Sequence, residues 1–161
     1  NINMWKDCSL VNFLKERSLI QLMIFIFIIL CVTNFLIFQL GFEGVTQKKA
    51  IMNGSFFPKG YVIGLIWTIL VILQTISFKK ISSQTNSFLI LILIMNCILY
   101  PIYTLGFSIF SMILIGNLIT IGLSAFISGC VFLESKLFSL FIGLTAVWVI
   151  YVTFLMTLVH I

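Results

Sequence analysis

The chain has 161 residues; 61% are hydrophobic, only 8% are charged, and the net charge is +5. A soluble domain carries about 25% charged residues, so this chain lacks the charge to wet a globular surface, and its apolar bulk equally excludes a disordered one. Its basic residues are scattered over the termini and loops and form no basic face, which argues against nucleic acid as a partner and reads instead as topology signals beside a bilayer.

The first stretch, residues 1–17, is the most charged, with Lys6, Asp7, Lys15, Glu16 and Arg17. Leu10, Phe13 and Leu14 fall on one helical face with Trp5 nearby. That pattern predicts a short helix lying in the membrane interface; a frayed tail is the other reading. A cleavable signal peptide is not expected, because the apolar run that follows is too long and no small-residue cleavage site ends it.

Five apolar runs come next: 18–40, 60–78, 88–105, 107–133 and 137–161, none with an internal Asp, Glu, Lys or Arg. A helix needs about 20 residues to cross some 30 Å of hydrocarbon at 1.5 Å per residue, so each run is a candidate span. Helices are the default because each segment must satisfy its own backbone in lipid. No alternating strand pattern of the barrel type appears. The expectation is an all-α integral membrane protein, a bundle of five transmembrane helices over residues 18–161 preceded by the interfacial segment 1–17.

The connections differ. Loop 41–59 is long and holds Glu43, Lys48, Lys49 and Lys59, whereas the joints at Gly106 and at 134–136 are tight. Five spans place the N-terminal segment, loop 79–87 and loop 134–136 on one side, with Lys6, Lys15, Arg17, Lys79, Lys80 and Lys136; the other side has only Lys48, Lys49 and Lys59. The excess predicts a cytoplasmic N-terminus and an outside C-terminus.

No charged pair lies in a span for proton or ion coupling. There is no nucleophile–His–acid set, phosphate loop or metal-binding helix, and His160 is the only histidine. No metal and no required cofactor are expected. Cys31, Cys97 and Cys130 sit in apolar runs without a CxxC pair, so they read as small packing residues.

What remains is polar and aromatic. Asn96, Tyr100 and Tyr103 share a face of the third run, and Pro101 frees the Cys97 carbonyl. Trp67 and Gln74 share a face of the second run; Thr145, Trp148, Val152 and Leu155 share one of the fifth. Such groups either line a site or simply glue helices together. Gly60 and Gly64, and the ridge Gly116, Thr120, Ser124 and Ser128, permit close helix approach, within the bundle or between two protomers.

Residues 55–70 read Ser-Phe-Phe-Pro-Lys-Gly-Tyr-Val-Ile-Gly-Leu-Ile-Trp-Thr-Ile-Leu. This stretch resembles the S-F-x-P-P-G-W-V-F-G-x-V-W-T-x-L motif of the TspO/MBR family, the tryptophan-rich sensory proteins and the mitochondrial translocator protein, or peripheral-type benzodiazepine receptor. Asn96 with Pro101, and Trp148, resemble further segments of that family. Tyr61 and Leu99 stand where the family has Trp, Lys59 where it has Pro, and Met156 where it has Asn.

The resemblance implies a five-helix bundle, often a homodimer, whose first loop lids a pocket for a porphyrin or haem-type tetrapyrrole, a sterol or an isoquinoline carboxamide. The pocket positions it implies are Ile63, Gly64, Trp67 and Asn96 on the second and third runs, with Tyr100 beside them, and Trp148, Val152 and Leu155 on the fifth. Lys48, Lys49, Phe56 and Pro58 would belong to the lid, where Lys48 and Lys49 could attract porphyrin propionates. The leading expectation is therefore a receptor, sensor or translocator for a flat lipophilic ligand, in a bacterial cell membrane. The alternatives are the substrate-binding component of a vitamin transporter, a porphyrin-degrading enzyme working through Trp67 and Trp148, and a structural membrane protein without a ligand.

Overall fold

The computed structural model describes residues 9–39, 58, 60–105 and 110–160. Among these there is no strand. The helices are α1 (Ser9–Glu16), α2 (Leu19–Gln39), α3 (Gly60–Lys80), α4 (Gln84–Leu105), α5 (Phe110–Phe132) and α6 (Lys136–His160). Helices α3 to α6 are each long and apolar enough to cross a membrane; α1 and α2, bent by 114° at their joint, supply a fifth crossing if taken together. The chain is thus an all-helical protein with the helices of a multi-pass membrane protein.

Helix starts are set by short polar side chains. Ser18 and Gln21 form a capping box: Ser18 N–H donates to Gln21 Oε1 at 3.2 Å, and Gln21 N–H to Ser18 Oγ at 3.1 Å. This pair opens α2 immediately after the bend. Ser83 Oγ accepts from Asn86 N–H at 3.3 Å and Ser135 Oγ from Phe138 N–H at 3.5 Å, opening α4 and α6.

Helices α3, α4, α5 and α6 form a closed ring, each packed against two neighbours, with α2 laid over the α3–α4 edge. The short connections make successive helices antiparallel. Phe78, Ile90, Leu93, Ile127 and Ile142 are fully buried inside the ring. Helix α2 contributes the buried stripe Leu22, Ile26 and Leu30 to that core, with Ile29 packed against it. Phe25, Ile28 and Phe35 point outward. A helix apolar all round with one buried stripe is what lipid on the remaining faces requires.

The ridge Gly116, Thr120, Ser124 and Ser128 is used inside the chain. A Cβ at Gly116 would lie 2.3 Å from Tyr103 Cε2, so glycine makes room for the Tyr103 ring. Thr120 and Ser124 are fully buried. Ser128 Oγ donates to the Ser139 carbonyl at 2.9 Å, and Ser139 Oγ donates to the Ser128 carbonyl at 2.8 Å, stapling α5 to α6. Small residues let these backbones approach closely enough for such bonds.

One end of the bundle is tied by a polar belt. Lys15 Nζ donates to the Ile81 carbonyl at 2.6 Å, at the end of α3, while Lys79 Nζ donates to the Lys15 and Arg17 carbonyls at the end of α1. Each lysine thus caps the other helix's C-terminus, where unpaired carbonyls and the negative dipole end favour a cation. Glu134 does the converse at the start of α4, accepting Ser82 N–H at 2.5 Å, Ser83 N–H at 3.0 Å and Asn86 Nδ2 at 2.9 Å. Partial burial raises its pKa, but these donors and the Lys15 charge outweigh that and hold it below the usual carboxylate range. Burial lowers the Lys15 pKa, opposed by Glu134 and reinforced by Lys79. Val11 is buried and Leu10 and Phe13 remain exposed, so α1 packs one side against the bundle and leaves an apolar side outward.

Candidate functional site

Helix α4 carries the organising feature. Pro101 has no N–H, so the Cys97 carbonyl loses its helical donor. Trp67, reaching across from α3, supplies one: its Nε1–H donates to that carbonyl at 2.9 Å. The indole is 6% exposed, and its ring lies 4.4 Å from the Tyr100 ring at an interplanar angle of 32°. Tyr100 in turn meets Tyr103 edge-on at 5.5 Å.

A hydrogen-bond network runs from these rings into α5 and α6. The Tyr100 hydroxyl donates to Asn117 Oδ1 at 2.5 Å, and Asn117 Nδ2 donates to Thr153 Oγ1 at 2.8 Å. Asn96 Nδ2 donates to Thr120 Oγ1 at 2.9 Å, and the Tyr103 hydroxyl donates to Asn96 Oδ1 at 3.2 Å. Thr120 passes its own proton back to the Gly116 carbonyl at 2.9 Å. Every intramembrane polar group needs such a partner.

A second buried group lies deeper. Gln74 is 0% exposed; its Nε2 donates to Thr145 Oγ1 at 2.8 Å and approaches Cys97 Sγ at 3.5 Å. Gln74 Oε1 has no hydrogen-bond partner.

The structure brings several of the expected site residues together. Trp67, Tyr100 and Trp148, on three helices, pack against one buried cluster, and Trp148 also meets a second, smaller cluster containing Ile113, Val152 and Met156. Ile63 and Gly64 are half-buried one turn before Trp67, and Leu155 is half-buried on α6. Asn96 is half-buried, with both ends of its amide engaged by neighbouring side chains. Of the lid residues, Pro58 is half-buried, while Lys48, Lys49 and Phe56 lie outside the described residues. Trp148 stacks obliquely on Tyr151, with centroids 5.6 Å apart.

Sequence reasoning missed Asn117 and Thr153. Both are helical polar residues inside apolar runs, and Asn117, the sole Asn of its run, was the available signal. No cluster of metal-binding side chains occurs among the described residues. The aromatic rings are packed on one another and the Asn96 and Asn117 amides are bonded to side chains of neighbouring helices; among these side chains there is no acid–base pair.

The fold and these side chains define an all-helical membrane protein with a polar–aromatic interior. No family model matches the chain, and neither a curated protein nor a solved structure matches it.

Proposed function

We propose that this chain is a five-span membrane protein of the TspO/MBR type that binds a flat lipophilic ligand inside its bundle, as a receptor, sensor or translocator. The observation that carries the reading is the aromatic group of Trp67 and Tyr100, held around a carbonyl that Pro101 frees, with Trp148 on the adjoining α6. Aromatic walls with few polar groups suit a flat apolar ligand, and the residues 55–70 resemble the family's most specific motif. A porphyrin or another tetrapyrrole, a sterol-like molecule or an isoquinoline carboxamide would fit that chemistry. In this reading loop 41–59 covers the pocket, two copies form a homodimer, and the N-terminus faces the cytoplasm of a bacterial cell.

A second reading is a structural membrane protein without a ligand. It is favoured by the way Asn96 and Asn117 spend their amides on neighbouring helices, as helix-gluing residues do. Titration of the purified protein with protoporphyrin separates the two. Saturable quenching of tryptophan emission supports the ligand pocket; no quenching beyond that of free tryptophan overturns it.

A further inference from the structure

We infer that the charged end of the bundle is a binding face for anionic phospholipid: phosphate headgroups seat among Arg17, Lys80 and Lys136, while Leu10, Phe13 and Phe132 enter the acyl boundary beside them. This goes beyond the ligand reading and does not depend on it. Among the described residues every Lys, Arg, Asp and Glu, at positions 15–17, 79, 80, 134 and 136, lies at one end, where α3 and α5 finish and α4 and α6 begin. Those four helices are each long and apolar enough to cross a membrane, so this end sits at one membrane face. Lys15 holds α1 at the same level through the Ile81 carbonyl, 2.6 Å away, and the 114° bend turns α1 across the axis of α2. A short helix laid across the bundle end with Leu10 and Phe13 exposed has the form of an interfacial anchor.

The charges at this end divide by use. Lys15 and Lys79 are spent on helix-end carbonyls, and Glu134 on the N–H groups of Ser82, Ser83 and Asn86. Arg17, Lys80 and Lys136 are exposed, and their side chains take no part in those bonds. The exposed Glu16 is the one carboxylate left against these three cations. Two of the three stand beside an aromatic ring: Arg17 Cζ lies 4.6 Å from the Phe13 ring centre and Lys136 Nζ 5.8 Å from that of Phe132. Both rings are 51% exposed. Such a pair matches a headgroup boundary, where the ring meets acyl chain and the cation reaches a phosphate oxygen. Lys136 also opens α6, where the positive end of the helix dipole disfavours a cation. Its charge therefore does nothing for its own helix and calls for an external anion. A lipid of net negative charge supplies one; a zwitterionic lipid brings its own ammonium group, which these cations repel.

The test compares dioleoyl phosphatidylglycerol with dioleoyl phosphatidylcholine, which share their acyl chains and differ in headgroup charge. The full chain is held in detergent micelles doped with equal amounts of both, and the lipid it retains is counted by native mass spectrometry. The wild type is expected to retain phosphatidylglycerol in about fivefold excess or more, the factor that one basic residue supplies near an anionic surface. Combining Arg17→Gln, Lys80→Gln and Lys136→Gln should bring the ratio close to unity. The melting temperature should stay near that of the wild type, because the belt's bonds are untouched. Should the triple variant not fold, the three single changes serve, each expected to lower the ratio. The charge-keeping set Arg17→Lys, Lys80→Arg and Lys136→Arg should retain the preference, as should Lys48→Gln with Lys49→Gln in loop 41–59. Equal retention by the wild type, or a preference that survives the glutamine set, would overturn the proposal. If polyglutamate binds the chain while both lipids are retained equally, the face serves an acidic polypeptide and the lipid proposal falls.

Discussion

The Trp67 indole N–H and the Cys97 carbonyl, 2.9 Å apart, replace a helical hydrogen bond that Pro101 removes. The tryptophan thereby joins α3 to α4 at the point where α4 is weakest. A buried carbonyl left unpaired costs about 1–3 kcal/mol. Trp67→Phe should destabilise the protein by about that much. Pro101→Ala restores the helix's own donor, so the same Trp67→Phe change should cost about 1 kcal/mol less in that background. Additive effects in a double-mutant cycle of unfolding in mixed micelles would contradict this coupling.

Glycines on one helix should behave oppositely. A Cβ at Gly116 would press into the Tyr103 ring at 2.3 Å, whereas one at Gly122 would meet nothing within 4 Å. Gly116→Ala is expected to cost about 1–3 kcal/mol through overpacking. Gly122→Ala should stay within about 0.5 kcal/mol of neutral or stabilise, since alanine is the better helix former. Thermal midpoints of the two variants check the contrast; equal losses would show that the Tyr103 contact is not what requires glycine at 116.

Acid should release the belt. The hydrogen bonds to Glu134 hold its pKa below the ordinary carboxylate value, so the folded state binds this proton less readily than the unfolded one. Its stabilisation is therefore fully present above the unfolded pKa of about 4.3 and is lost as pH falls through the folded value. Glu134→Ala should lower the melting temperature at pH 7, with the gap to wild type narrowing as pH falls below the unfolded pKa of about 4.3. A gap independent of pH would mean that the carboxylate's charge plays no part in capping α4.

Much of the helical layout was legible because lipid imposes one rule, an uninterrupted apolar run. The five runs correspond to α2 to α6 within a few residues. The start of α4 at Gln84 was not, since Gln84, Thr85, Asn86 and Ser87 are polar and hydropathy places the boundary at Phe88. Capping by Ser83 and Glu134 carries the helix past that boundary. The freed Cys97 carbonyl followed from Pro101 alone, but its partner Trp67 depends on which face of α3 meets α4, and one sequence does not fix that. The same holds for Asn117 and Thr153, whose partnership requires the packing of α5 on α6. Exchanged lysine caps between α1 and α3 involve residues 64 positions apart and leave no local pattern.

The proposed five crossings would place the two ends of the chain on opposite sides, with the N-terminus, richer in nearby Lys and Arg, inside. Reporter fusions at each end should therefore give opposite signals. Both ends on one side would reduce the bundle to the four crossings of α3 to α6 and leave α2 at the surface.

The proposed ligand pocket is tested most directly by fluorescence. The chain has three tryptophans; in a Trp5→Phe background, emission comes from Trp67 and Trp148 alone. Protoporphyrin is expected to quench it saturably. Stacking on one aromatic contributes about 0.5–1.5 kcal/mol beyond the buried area, so Trp148→Ala should weaken binding roughly tenfold. Linear, unsaturable quenching, or an affinity that ignores Trp148→Ala, would contradict a pocket built on these rings.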